Sequence, residues 1–155
     1  MLLCISTTER SEYHLWLTRR FVKLLWGVLV DTLAHDPKSR ENLPPDIRNA
    51  ILGMRHQEAV AASEFSKPHT RGNQTLTSNT GPLLVTSGKL TPRANGITQL
   101  TFDILNGIRI NFSLTQKLLH ALCHVIILSS TKADRGLDLS VGASLLSSEE
   151  HTVFH

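Results

Sequence analysis

Aromatic side chains make up only 5% of this chain: two tryptophans, one tyrosine and five phenylalanines. The few present do not interleave with basic residues along one strand, which is the pattern of an RNA-binding sheet. Trp16, Trp26, Phe102 and Phe112 therefore read as core. Cysteine is scarcer still. Cys4 and Cys123 both lie in apolar segments, so no disulfide framework is expected. They read as reduced core residues, which points to a reducing compartment. Neither has a basic neighbour in sequence that would lower a thiol pKa, so a nucleophilic role has no support.

The glycines never cluster. Gly72, Gly81, Gly88, Gly96 and Gly107 fall one at a time, in stretches that read as loops and turns. This excludes a Walker loop, a dinucleotide fingerprint and a G-x-S-x-G elbow. No long apolar run is present either. Phe21 to Ala34 is interrupted by Lys23 and Asp31, and a bilayer needs about 20 apolar residues. The opening MLLCI lacks the basic and apolar regions of a signal peptide. A cytoplasmic protein with no membrane association is expected. No block of one charge sign occurs. Sixteen basic residues oppose thirteen acidic ones for a net +3, mildly basic and short of a dedicated nucleic-acid arm.

What is present is a sound core. Of 155 residues, 41% are apolar and 19% charged, the balance of a globular protein large enough to bury an interior. Two stretches organise it. YHLWLTRRFVKLLWGVLV at 13–30 returns as INFSLTQKLLHALCHVII at 110–127. Setting Thr18 on Thr115 aligns Leu17 with Leu114, Phe21 with Leu118, Leu25 with Leu122 and Val28 with Val125. Each copy reads as a strand passing through a Leu-Thr step into an apolar helix, an internal strand-to-helix duplication. Thr18 and Thr115 are placed as N-caps, their hydroxyls facing the unpaired N–H groups of the first turn.

In chain order, strands are expected over 2–6 and 13–17, and a helix over 19–35. A second helix opens at Pro44-Pro45-Asp46 and runs to about 65, with Ile47, Ala50, Ile51, Met54, Ala61 and Phe65 at helical spacing. Residues 66–81 are polar and long enough to be mobile or functional. Strands follow over 83–91, 97–105 and 108–114, then a helix to about 133. Along 97–105, Thr98, Leu100, Phe102 and Ile104 share one face. Asn106-Gly107 between the last two strands predicts a two-residue type I′ turn with positive φ at both positions. The fold expected is α+β: an antiparallel sheet of about five strands with three helices on one face, in the order ββααβββα. One domain should span 1–136, with 137–155 a largely frayed tail.

Three places carry residues of chemical interest. His120 and His124 lie four apart on the last helix, the spacing of helical zinc ligands. Cys123 sits about 100° around the axis from each, so the three do not converge. By the alignment with Lys23 and Gly27, the two histidines belong on a polar stripe, partly exposed and without metal. His56-Gln57-Glu58 places a base and a carboxylate two apart, which point in different directions on a helix. Arg19, Arg20, Lys23 and Lys117 put cations at the helix starts, where the dipole disfavours them. Glu9 or Glu12 can compensate them locally, or they flank a site for an acidic partner. The expectation is a small non-enzymatic interaction protein without cofactor, whose partner is another protein or a second copy. The alternative is a binder of nucleic acid or another polyanion through those residues, with Lys67 and Arg71 assisting.

Overall fold

The computed structural model describes residues 1–8, 11–35, 43–63, 74–76, 81–132, 137 and 139–142. The elements are β1 (Leu2–Ser6), β2 (Ser11–Trp16), α1 (Arg19–Ala34), α2 (Pro45–Ala61), β3 (Gln74–Leu76), β4 (Leu83–Pro92), β5 (Ile97–Ile104), β6 (Arg109–Thr115) and α3 (Gln116–Lys132), with a 3-10 turn at Ala94–Gly96. The class is α+β with three helices, as the periodicities require. The sheet is mixed, not antiparallel. Its lanes run β1-β2-β4-β5-β6, and β3 pairs with β2. β1–β2 and β4–β5–β6 are antiparallel, while β2 pairs with β3 and with β4 in parallel. Short turns dictate the antiparallel pairs. The β2–β4 join spans α1 and α2, and such a crossover delivers the returning strand parallel. β3 is the element missing from the expected order. Its three residues carry no period to read, and they interrupt the 66–81 stretch, most of which lies outside the described residues.

Contacts gather the chain into two compact units, Met1–Leu25 with Glu64–Gln116 and Trp26–Ser63 with Lys117–His155. The first holds the sheet. β5 alternates without a break, with Thr98, Leu100, Phe102 and Ile104 buried, because successive side chains of a strand face opposite ways. Four aromatic side chains meet on this inner face. Tyr13 meets Phe112 edge-on at 5.4 Å, Phe112 meets Phe102 at 6.2 Å, and Phe102 meets Phe21 at 5.8 Å. Edge-to-face pairs add to burial energy, so the first turn of α1 is anchored to the sheet through Phe21.

Gly88 belongs to this packing and not to a turn. It lies within β4 opposite Phe102. A Cβ there would stand 3.0 Å from the Phe21 ring and 3.2 Å from that of Phe102. A bulge between Val85 and Ser87 shifts the register so that both Val85 and Gly88 face inward. Gly88→Leu is expected to destabilise the protein by roughly 1–3 kcal/mol through overpacking, read as a lower urea midpoint. An unchanged midpoint would show that Phe21 does not need this gap.

The β5–β6 turn also differs from expectation. Gly107 has φ 82°, whereas Asn106 is not among the positive-φ residues. Gly107 N–H donates to Ile104 O at 2.9 Å, and Ile104 N–H to Ile108 O at 2.8 Å. This is a three-residue loop, a type I turn followed by a left-handed glycine. In this loop only Gly107 needs positive φ, and the Asn106 side-chain oxygen accepts Ile108 N–H at 3.3 Å. The left-handed Asn-Gly pair occurs one turn earlier, at Asn95 (φ 63°) and Gly96 (φ 70°).

The second unit is helical. Leu29 and Leu33 of α1, Leu52 and His56 of α2, and Leu119, His120, Cys123, Ile126 and Ser130 of α3 are buried. Leu122, aligned with buried Leu25, is only half-buried. α2 starts at Pro45 without a side-chain cap, as a proline at the first helical position permits. Few of its apolar residues are buried, and Ile47 and Met54 face solvent. Among the described residues no helix is long and apolar enough to cross a membrane.

Candidate functional site

β2 runs almost directly into α1, so the residues at that junction are held by the sheet. Thr18 caps the helix, its Oγ1 accepting Phe21 N–H at 3.2 Å. Val22 and Leu25 are buried, which turns Arg19, Arg20 and Lys23 outward, and all three are exposed. Residues three and four apart on a helix are neighbours, so Lys23 stands beside both arginines. The first turn has no acidic residue. Glu12, one of the two compensating acids, is buried in β2 and hydrogen-bonded to His14 Nε2. Glu9, Lys67 and Arg71 lie outside the described residues.

Lys117 belongs to the helical unit. Its Nζ donates to the Ala62 carbonyl at 2.8 Å, where a cation complements the C-terminal end of α2. Of the two histidines of α3 expected to be partly exposed from the alignment with Lys23 and Gly27, only His120 departs from that expectation. His120 is buried at 6% exposure and His124 is half-buried. His120 Nδ1 lies 3.1 Å from His56 Nδ1 of α2. The His56 ring centroid is 5.3 Å from that of His120 and 6.3 Å from that of His124. Aligning His120 with Lys23 missed this, because burial on α3 is decided by what α2 brings to it. The signal available in sequence was His56 itself, one turn past Leu52 on the apolar side of α2. Burial, and then the charge of His124, hold the His56 pKa below its usual value. Among the described residues no group of three or more His, Cys, Asp or Glu is arranged to hold a metal ion.

The two thiols differ. Cys123 is fully buried, and burial pushes its pKa up to about 12. Cys4 is not a core residue: Leu3 faces inward, so period-2 alternation turns Cys4 outward, where it is exposed. Partial burial, and then the Glu12 carboxylate, raise its pKa. Trp16 was also expected in the core and is 45% exposed, directly before Leu17 and the cap. No protein-family model, curated protein or solved structure matches this chain.

Proposed function

We propose that the protein is a non-enzymatic interaction protein that engages an acidic partner through the start of α1. The observation that carries this is the exposure of Arg19, Arg20 and Lys23 side by side on two turns of one capped helix. Three cations on a shared face raise the local potential, and arginine suits carboxylate or phosphate oxygens through its planar fork. Cations at a helix start are individually unfavourable by about 0.3–1 kcal/mol at low salt, which an anionic partner relieves. Both thiols are held in the protonated, poorly nucleophilic form, in keeping with a non-catalytic role. A second reading, a nucleic acid as the polyanion, draws on exposed Trp16, three residues before Arg19 in sequence, since bases stack on aromatic faces.

Sulfate is expected to raise the melting temperature more than chloride at equal ionic strength, and Arg19→Ala/Arg20→Ala should erase the difference with the fold intact. An identical sulfate response in both proteins would refute the assignment. Anisotropy of a labelled single-stranded oligonucleotide, falling steeply with salt, would favour the second reading.

A further inference from the structure

α2 turns its apolar period to water. Ile47, Ala50 and Met54 recur at helical spacing, yet all three are exposed, with Ile51 half-buried beside them. The side that meets protein carries Leu52 and His56. At about 100° per residue, the two sides lie half a turn apart. Singly exposed apolar residues need no explanation, whereas a continuous apolar stripe along one helix face needs a cover.

The chain itself comes back to this helix. Gly142 is the last of the described residues, and it lies against α2. A Cβ on it would stand 2.6 Å from Gly53 N and 2.8 Å from Gly53 Cα, and would also meet Asn49 O. Its φ is 77°. Both features favour glycine. Val141 O lies 3.6 Å from where a Gly53 Cβ would be, so the contact is backbone on backbone. The described chain thus ends at Gly53, next to Met54. The residues that follow are Ala143-Ser144-Leu145-Leu146-Ser147-Ser148-Glu149-Glu150: small, then apolar, then acidic. The surface of α2 has the same order. Going round the helix from Gly53, Met54 comes about 100° on, Ile47 about 20° beyond it, and exposed Arg48 about 100° further. Round a helix about 11 Å across, the arc to Met54 is roughly 10 Å, and the oblique path on to Arg48 brings the total to about 22 Å. An extended chain advances about 3.3 Å per residue, which carries Leu145 about 10 Å from Gly142 and Glu149 about 23 Å.

We propose that residues 143–150 dock across the outer face of α2, with Leu145 and Leu146 covering Met54 and Ile47, and with Glu149 and Glu150 at Arg48. Removal of the leucines and of the stripe from water drives the contact. The ion pair is exposed and contributes little energy; it sets the direction of the crossing. An occupant on the same chain has the advantage over any other, because a short linker supplies a local concentration on the order of millimolar. The docking stands apart from the acidic-partner reading, which concerns α1.

Met54 reports the cover. Peroxide converts an accessible thioether to the sulfoxide, and Met1 is the only other methionine, so peptide mass spectrometry of the full chain follows Met54 by itself. Met54 should oxidise several-fold more slowly in the native chain than in Leu145→Asp/Leu146→Asp, with circular dichroism unchanged. Arg48→Glu should also speed the oxidation, and adding Glu149→Arg/Glu150→Arg to it should slow the reaction again. Equal rates in the native chain and the double aspartate variant overturn the proposal. Protection that disappears on dilution assigns the stripe to a second copy and overturns it as well. A charge swap that restores nothing overturns the crossing toward Arg48.

Discussion

Phe102→Ala should cost about 3–5 kcal/mol of stability, the range for removing a buried aromatic ring. Phe102 is fully buried and touches both Phe21 and Phe112 edge-on. Its removal leaves two rings without their partner and opens a void opposite Gly88, where no side chain is available to collapse inward. Phe21 sits in the first turn of α1, so the loss also loosens the helix that carries Arg19, Arg20 and Lys23. Urea denaturation measures the total cost. The sulfate-dependent rise in melting temperature, followed in the same variant, reads the coupling to the basic cluster. A cost near that of an ordinary surface substitution, about 0.5 kcal/mol or less, would mean that the aromatic chain does not organise the sheet unit.

Acid should weaken the helical unit through His56 and His120. Their Nδ1 atoms share one hydrogen bond, so one ring nitrogen donates and the other accepts. When both rings are protonated, both nitrogens are donors and the bond is lost. Burial and the nearby His124 hold the His56 pKa below its ordinary value of 6.5. In the unfolded chain His56 takes up a proton near that value, while in the folded chain it resists. The stability it contributes is therefore present above the unfolded pKa of about 6.5 and is lost as pH falls through the lower folded value. His56→Leu keeps an apolar side chain beside Leu52 and removes the titrating ring. At neutral pH it should cost about 1–3 kcal/mol, because buried His120 loses this hydrogen bond. Below pH 6.5 the gap to wild type should narrow. Parallel stability curves for the two proteins between neutral and acidic pH would exclude the pair as the acid-sensitive element.

The basic cluster was legible in the sequence. Arg19, Arg20 and Lys23 were identifiable because Thr18 marks a helix start and the apolar period around Val22 and Leu25 turns those cations to water. The exposure of Trp16 was not. Trp16 was assigned to the core on residue type, yet it is the outward member of the Leu15–Trp16 alternation, and its exposure depends on Leu2 and Leu84 being its lateral neighbours. Leu84 is far from Trp16 in sequence, and no local pattern announces a parallel pairing between them.

By itself the sequence determined the local elements: the three helices, the alternation of β5, the cap at Thr18 and the antiparallel hairpins. Each depends on covalent geometry and on residues a few positions apart. Tertiary structure decided whatever depends on distant partners. Pairing β2 with β4 made the sheet mixed and set Trp16 beside Leu84. The approach of α2 buried His120 against His56. A period shows which residues share a face, but whether that face meets water or protein depends on what the rest of the chain places against it.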